Sequence, residues 1–506
     1  MQPTKINIAV FIVPFSLLLF SIIFSQADPD GFLNGMRQAN DWILTRFGWL
    51  FSWSTLLFLV LCIVVYCSPL ARIRIGGKAA KPLLSKFQWF YIALCTTIAI
   101  GILFWATAEP VYHLHEPPAR TGIEPDSPAA ATFALSTLFL HWTFTPYSIY
   151  TLIALLFALV YYNYRQPFSL GSLLYPLTGK PLNARWGQVV DAVCLYSLVA
   201  GMAASLGAGI LTLSGGIRQF ADLGDSPFIL PAIAGLIVIT FIISSVSGLM
   251  KGIKTLSNIN FYAFLALGAF VLLAGPVGYI FRSGAESLGD YLVHLAPRSL
   301  GIGIDREWSE SWTVFYWANW LAWAPVTAVF LGRLGVGYTV RDFIHFNLVF
   351  PALFSMLWMA VFGGTAIYID HISGTTDLYA VLQQQGPEST IYAVLNALPY
   401  PRLTAAGFLF IAFISYVTAA DSNTSAMSGL CSSGISPDSP EPPGWIKIVW
   451  GVVVGTVSWV MVSGAGIDGV RMASNLGGFP ALFLGLAAAA GMLRLLLKKA
   501  ITAEIN

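Results

Sequence analysis

Residues 313–334 read TVFYWANWLAWAPVTAVFLGRL, an apolar run long enough to cross the ~30 Å hydrocarbon layer of a membrane as a helix. Trp317, Trp320 and Trp323 recur in it every third residue, which predicts that they lie near one face of that helix. Indole faces attract cations, and quaternary ammonium groups are the usual guests of aromatic cages. The same spacing also fits a packed helix or an aromatic belt at the membrane surface.

The composition of the whole chain favours a membrane location. Of 506 residues, 57% are hydrophobic and only 10% are charged, against about 25% in an average soluble protein. Continuous apolar runs recur along the chain, so we predict an all-α polytopic membrane protein and exclude a β-barrel, whose strands alternate. The net charge of +2 argues against a nucleic-acid partner, and the five scattered cysteines lack metal-binding spacing. No metal and no cofactor is expected.

Twelve transmembrane helices are predicted from the positions of the runs. They lie near residues 8–26, 47–67, 87–109, 133–162, 187–213, 228–249, 258–281, 312–332, 343–369, 403–428, 445–464 and 472–496. An even number of spans places both termini on one side of the membrane, and the segments on that side hold 17 of the 26 lysines and arginines. By the positive-inside rule, we expect a multi-pass protein of the cell (inner) membrane with cytoplasmic termini.

The spans also predict how the chain is divided. The predicted parts are two leading helices with a basic cytoplasmic loop (1–86), a first five-helix set (87–281), an extracytoplasmic connection with an amphipathic helix (282–311), a second five-helix set (312–497) and a short cytoplasmic tail (498–506). Because each set has an odd number of spans, the second is inverted relative to the first, as in many secondary transporters. Gly101 and Pro325 are predicted to interrupt the opening helix of each set.

Seven segments resemble the betaine/carnitine/choline transporter (BCCT) family. They are ATAEP (106–110), FLHWTFTPYSIYT (139–151), GMAASLGAG (201–209), GLMKGIKTLSNIN (248–260), SWTVFYWANWLAWAPVTAVFLGRLGVGYTVRDF (311–343), FGGTAIYID (362–370) and TAADSNT (418–424). The resemblance keeps family order over roughly residues 45–495. It implies a LeuT-type fold with two inverted five-helix repeats, often a homotrimer, and a small-molecule substrate that carries a quaternary or similarly methylated onium group.

The resemblance also implies an aromatic cage for that group. Matching motif positions place its rings at Trp142, Tyr147, Tyr150, Trp317, Trp320 and Trp323, with Trp320 as the main cation contact. Tyr147 stands where the family usually has a tryptophan. In the fifth span most small residues are expected to allow close helix packing, whereas Ser205 is expected to face the ligand.

Asn319 departs from the family pattern, which commonly has tryptophan at this position. An amide in the cavity needs hydrogen-bond partners, and a hydroxyl or carboxylate of the substrate would supply them. Asn319 therefore either adapts the pocket to a more polar substrate or bonds to a neighbouring helix away from it.

Coupling to sodium is not favoured by the residues at the matching positions. Sodium needs oxygen ligands, as other hard cations do. Where sodium-coupled relatives supply them, this chain has Ile98 in the third span, Met202 in the fifth and only Thr418 in the tenth. Relatives that exchange carnitine-type substrates place a thioether and a guanidinium where this chain has Thr327 and Asn260. We predict sodium-independent transport, by proton symport or by exchange, with sodium symport as the alternative.

Titratable groups inside the predicted spans are candidates for proton coupling. Asp421 stands out in the tenth span, where a carboxylate is costly unless paired or functional, although a structural role is also consistent. Glu109 precedes Pro110 at the end of the predicted third span and is expected to be a helix-end or gate residue. His141 is expected to make a satisfied polar contact. Arg333 is assigned to a loop that controls cytoplasmic opening, or to positive-inside anchoring.

Other functional classes fit less well. The sequence lacks a nucleophile elbow, a zincin helix and a phosphate loop in a suitable context, so no enzyme is predicted. A receptor-like sensor of osmolytes on a transporter scaffold is the alternative from another class.

Overall fold

A computed structural model describes residues 5–98, 101–220, 228–246, 249–433 and 442–497, with the exception of the side chains of 5, 98, 245–254 and 433. Within these ranges the chain is helical, apart from connections and one antiparallel pair of two-residue strands. The predicted all-α class is confirmed. The predicted cytoplasmic tail, 498–506, lies outside the described residues.

The helices are numbered in chain order. They are α1 (Ile8–Ala27), α2 (Pro29–Cys67), α3 (Lys86–Ile98), α4 (Gly101–His115), α5 (Pro128–Trp142), α6 (Phe144–Ala158), α7 (Tyr175–Thr178), α8 (Ala184–Arg218), α9 (Ile229–Val246), α10 (Leu249–Ala274), α11 (Val277–Ser299), α12 (Arg306–Ser309), α13 (Phe315–Leu334), α14 (Val340–Ile344), α15 (Phe350–Ile367), α16 (Leu378–Gln385), α17 (Pro387–Asn396), α18 (Pro401–Leu430) and α19 (Gly444–Leu497). The 3₁₀ turns are Pro69–Arg72, Ala119–Thr121 and Leu170–Leu174, and the π turns are Leu159–Asn163, Glu310–Val314, His345–Val349 and Tyr368–Ile372. Strand β1 (Lys5–Ile6) pairs with β2 (Ser432–Ser433).

Nine helical stretches of the described ranges are long and apolar enough to cross a membrane, with α5 and α6 counted as one stretch and α12 and α13 as another. The pair α3 and α4, bent by 57°, is a tenth candidate. The apolar helix α9 is shorter, and α19 covers both of the last two predicted spans. Inside α19, Gly466 has φ 53° and ψ −131°, a conformation open to glycine, and the helix kinks there. The protein is therefore a multi-pass membrane protein, and the number twelve stays a prediction.

The fourth predicted span is divided into α5 and α6 at Thr143, whose φ of −120° and ψ of −118° are not helical. Pro146 explains the break. It has no N–H to bond the carbonyl of Trp142, and its ring would clash with that carbonyl in a continuous helix. The chain therefore leaves the helix at Trp142 and re-enters it at Phe144.

Helix α13 lies at the centre of the bundle, because all its residues except Asn319 and Arg333 are buried. A helix that is buried on every side does not form an aromatic belt at the membrane surface, so that explanation of the three tryptophans is excluded. Neighbouring helices approach α13 closely through glycines. A Cβ atom on Gly201 of α8 would lie 3.0 Å from the backbone of Ala322.

The predicted interruption of this helix at Pro325 is wrong. Helix α13 continues through Pro325, and the irregular part of the span is the π turn Glu310–Val314 before it. Proline is tolerated in a buried transmembrane helix because it leaves only the carbonyl four residues earlier without its usual partner, and packing on all sides holds the helix in place. The other predicted interruption, Gly101, is the first residue of α4.

Candidate functional site

Three aromatic rings from two helices meet around Trp320 of α13. Its ring centroid lies 5.7 Å from that of Trp142 on α5, and 5.3 Å and 4.9 Å from those of Tyr147 and Tyr150 on α6. These rings are inclined by 53° to 68° to the Trp320 ring, so their faces are not used up by stacking on it. All four side chains are at most 3% exposed. We call these four residues the Trp320 cage.

A glycine sets the position of Trp142. A Cβ atom added to Gly101 would lie 2.5 Å from two carbon atoms of the Trp142 indole, so any larger residue would displace the ring. Tyr147 and Tyr150 are three residues apart on α6, which brings both toward Trp320 from one face of that helix. The cage thus depends on three local features: the break before α6, the spacing along it, and the glycine at the start of α4.

The three tryptophans of α13 do not act as one surface. Trp317 is fully buried with its ring 6.0 Å from that of His141, and in the described part of the chain Trp323 has no ring contact. Within the same part, the indole N–H groups of Trp317 and Trp320 have no hydrogen-bond partner. Among the described residues of the predicted ladder, only Trp320 has ring contacts with Trp142, Tyr147 and Tyr150.

The two predicted polar residues of the pocket both bond to neighbouring helices. The Ser474 hydroxyl of α19 donates to Oδ1 of Asn319 at 2.9 Å. The Tyr416 hydroxyl of α18 donates to Oγ of Ser205 at 3.3 Å. The bond between Ser474 and Asn319 is the contact with a neighbouring helix that the second explanation of Asn319 predicts.

The predicted coupling residues are dispersed. Thr418 and Thr327 donate to carbonyls of their own helices, those of Ile414 and Trp323, both at 2.8 Å. Met202 is buried within α8. The side chain of Ile98 lies outside the described residues.

Two further coupling candidates bond across helices. The Asn260 amide on α10 donates to Oγ of Ser415 on α18 at 3.0 Å. Asp421, also on α18 and fully buried, accepts a 2.6 Å hydrogen bond from Ser244 of α9. The guanidinium of Arg333, predicted for gating, lies 5.8 Å from the centre of the Phe168 ring.

The most extensive polar contact near the cage involves Glu109, which the sequence placed at a helix end. This placement is wrong, because α4 continues to His115 and Glu109 is fully buried inside it. Its Oε1 lies 2.6 Å from Nδ1 of His141 and 3.3 Å from Nε2 of His113. Its Oε2 accepts bonds from the Trp142 indole at 2.7 Å and the Tyr316 hydroxyl at 2.5 Å. The expected polar contact of His141 is present, and Thr313 lies 3.0 Å from its other nitrogen.

The sequence profile described as BCCT, betaine/carnitine/choline family transporter, matches residues 9–501. The chain belongs to this family. The predicted resemblance is therefore confirmed over nearly the whole chain.

Three relatives in the BCCT family illustrate its range. The osmo-dependent choline transporter BetT2 of Acinetobacter baylyi is 30% identical over 96% of this chain and 71% of its own length. The high-affinity choline transport protein of Escherichia coli K12 is 30% identical over 97% of this chain and 72% of its own length. The ectoine/hydroxyectoine transporter of Virgibacillus pantothenticus is 30% identical over 98% of both chains.

Like these BCCT relatives, the chain is a membrane transporter and not an enzyme. One solved structure aligns with 88% of this chain over 85% of its own chain. It is the substrate-bound outward-open state of a Na⁺-coupled sialic acid symporter. Its sequence identity of 14% and TM-score of 0.47 are too low to assign a shared fold.

Proposed function

We propose that this BCCT protein is a secondary active transporter that takes up a quaternary ammonium or related onium compound through the Trp320 cage. The observation that carries the proposal is the convergence of Trp142, Tyr147 and Tyr150 on Trp320 in the centre of the bundle. Each desolvated ring contributes about 0.5–2 kcal/mol to a bound cation. Several rings together offset the dehydration of a weakly hydrated onium, but not that of a primary ammonium with its strong N–H donors.

The architecture proposed for this transport is a LeuT-type fold with inverted five-helix repeats at 87–281 and 312–497. Alternating access then moves the two repeats relative to a site between them. Burial of all four cage residues agrees with a site that closes over its substrate. We further propose an inner-membrane location with cytoplasmic termini, and a homotrimer as the resemblance implies.

The substrate is proposed to be of the betaine, choline, carnitine or ectoine type. Relatives of this chain are named as transporters of choline, of ectoine and of glycine betaine. The polar end of such a substrate needs hydrogen-bond partners, and Asn319 and Ser205 are the residues proposed to supply them. Both are half-buried: Asn319 precedes Trp320 on α13, and Ser205 lies on α8, which packs on α13.

Transport is proposed to be independent of sodium. Met202 presents a thioether where sodium-coupled relatives have a hydroxyl, and the Thr418 hydroxyl bonds to its own helix. Proton symport and substrate exchange are the two mechanisms that remain. Asp421, Asn260, Thr327 and Arg333 are the other residues proposed to act in coupling or gating.

Uptake into proteoliposomes tests the proposal. Labelled choline, glycine betaine and ectoine are offered separately under an inward sodium gradient, an inward proton gradient, or with unlabelled compound inside. We expect the labelled compound to accumulate under the proton gradient or with unlabelled compound inside, and not under the sodium gradient alone. Stimulation only by sodium would establish the sodium-symport alternative, and binding without counterflow would establish the osmolyte sensor.

A further inference from the structure

The contacts of Glu109 indicate that it is ionised. Two donors, the Tyr316 hydroxyl at 2.5 Å and the Trp142 indole N–H at 2.7 Å, bond to Oε2, and both distances fall in the range of charge-assisted hydrogen bonds. Ring nitrogens of His141 and His113 lie 2.6 Å and 3.3 Å from Oε1. Donors that bond to the charged form of a carboxylate favour that form. Glu109 is therefore a negative charge at the centre of the bundle.

The charges that face Glu109 are few. His113 approaches from its own helix, His141 from α5 and the Tyr316 hydroxyl from α13, while Glu116 lies beyond the end of α4. From α19, the guanidinium of Arg471 lies 4.8 Å from the centre of the Trp312 ring. Among the described residues, only the two histidines pair with the Glu109 carboxylate, and imidazoles are charged only when protonated. Protons therefore set the net charge of Glu109, His113 and His141, which we call the Glu109 cluster.

The Glu109 cluster is joined directly to the Trp320 cage. The oxygen that accepts the Trp142 N–H bond fixes the orientation of an indole ring that lies 5.7 Å from the ring of Trp320. The same oxygen accepts from Tyr316, and the Tyr316 ring lies 5.1 Å from that of Trp142. A carboxylate on the indole N–H also makes the indole face more electron-rich, which strengthens its attraction for a cation.

We propose that Glu109 is the buried counter-charge and positioning residue of the cage, and that a proton bound to the Glu109 cluster competes with the onium substrate. This inference rests on the proposed function. A proton on Glu109 or on either imidazole raises the charge of the cluster by one and cancels the field that favours a second cation nearby. By linkage, a bound onium lowers the affinity of the cluster for protons by the same factor. Mutual exclusion of proton and onium favours exchange over proton symport among the sodium-independent mechanisms.

Equilibrium binding to the purified full-length protein tests this inference. Choline affinity is measured between about pH 5 and pH 8, where histidines titrate. Because protonation weakens binding, the affinity is highest at the alkaline end and falls by about tenfold toward the acid end. Glycine betaine carries a carboxylate that offsets its own cation, so its affinity changes less.

Variants separate the cluster from general effects of acid. Glu109→Gln keeps the hydrogen-bonding shape but removes the negative charge, so we expect about tenfold weaker choline binding and a shallower pH profile. His141→Gln removes one imidazole from the cluster and leaves the Trp142 and Tyr316 bonds to Glu109 in place, so affinity at alkaline pH is retained. Asp191→Asn, at a buried carboxylate that accepts backbone N–H bonds from Leu170 and Gly171, is the matched control and keeps the wild-type profile.

The outcomes are distinguishable from failure of the proposed function. A Glu109→Gln protein with wild-type affinity and pH profile overturns the inference, as does choline affinity that rises in acid, and both leave onium transport intact. Zinc is the other occupant to test, because the three side chains offer ligand atoms within 4.8 Å of one another. Loss of binding on chelation with EDTA, restored by Zn²⁺, would assign the cluster to a metal and also overturn the inference. Failure of every onium probe to bind would instead reject the proposed function.

Discussion

Two groups of buried aromatic rings in this protein resemble each other, but only the first surrounds a cation of the described chain. In the first, Trp105, Trp312 and Phe315 surround the guanidinium of Arg471, which lies 5.6 Å, 4.8 Å and 5.5 Å from their ring centres. In the second, the Trp320 cage, no lysine or arginine of the described chain lies over a ring. The first group binds a cation that the chain supplies, so its energy contributes to holding α19 against its neighbours.

The difference between the two ring groups shows how aromatic residues can be assigned to packing or to ligand binding. Arg471 is half-buried, its Nε has no hydrogen-bond partner in the described part of the chain, and three rings surround its guanidinium. In the Trp320 cage the nearby charge is the negative one of Glu109, held on the Trp142 indole. A ring cluster with a built-in cation stabilises the fold, whereas one with a built-in anion favours a cation from outside.

Removal of the central ring of the cage is expected to have the largest effect. Trp320→Leu should weaken choline binding by about 2 kcal/mol, or roughly 30-fold, because the ring that contacts the other three is lost. Trp358→Leu is the matched control, since Trp358 is equally buried but packs on Phe362 outside the cage. Isothermal titration with both purified variants measures the difference. Equal affinities would show that the cage is not the site.

A change that moves one cage ring without removing it comes next. Gly101→Ala places a Cβ atom against the Trp142 indole and forces that ring to shift. Overpacking of this kind costs about 1–3 kcal/mol, and here we expect about tenfold weaker choline binding because the ring moves away from Trp320. Gly235→Ala on α9, where a Cβ atom meets nothing within 4 Å, serves as the control. If the choline affinity of Gly101→Ala is unaltered, the position of the Trp142 ring does not affect choline binding.

The comparison also predicts a variant that affects stability alone. Arg471→Met removes the cation from the first ring group, which should lower the free energy of unfolding by about 1 kcal/mol. Choline affinity should not fall, because Arg471 does not touch the cage. Unfolding in lipid nanodiscs and choline titration are measured on the same sample. A loss of affinity with no loss of stability would reverse the roles assigned to the two groups.

The family motifs predicted Trp142, Tyr147, Tyr150 and Trp320, with Trp320 as the main cation contact. They also placed Trp317 and Trp323 in the cage, and in the described part of the chain neither has a ring contact with those four residues. Three residues turn a helix by about 60° less than a full turn, so Trp317 and Trp323 lie to either side of Trp320. The sequence predicts a helix end at Glu109 because Pro110 follows it, whereas α4 continues through Pro110 to His115. The spacing of Glu109 and His113, four residues apart, was a signal that they share a helix face. Their contacts with α5 and α13 depend on tertiary packing, which no local pattern encodes.

The smallest expected effect concerns Asn319 and distinguishes its two explanations. If its amide faces the substrate, Asn319→Ala should weaken choline binding by about threefold, the value of one modest hydrogen bond to the choline hydroxyl. Tetramethylammonium has no hydroxyl, so its affinity should not change, and the ratio of the two affinities isolates the polar contact. Ser474→Ala removes the donor that Asn319 accepts from and is the matched variant. If both ligands weaken equally in Asn319→Ala and Ser474→Ala, then Asn319 acts through helix packing, and the cage binds its cation without a polar anchor at this position.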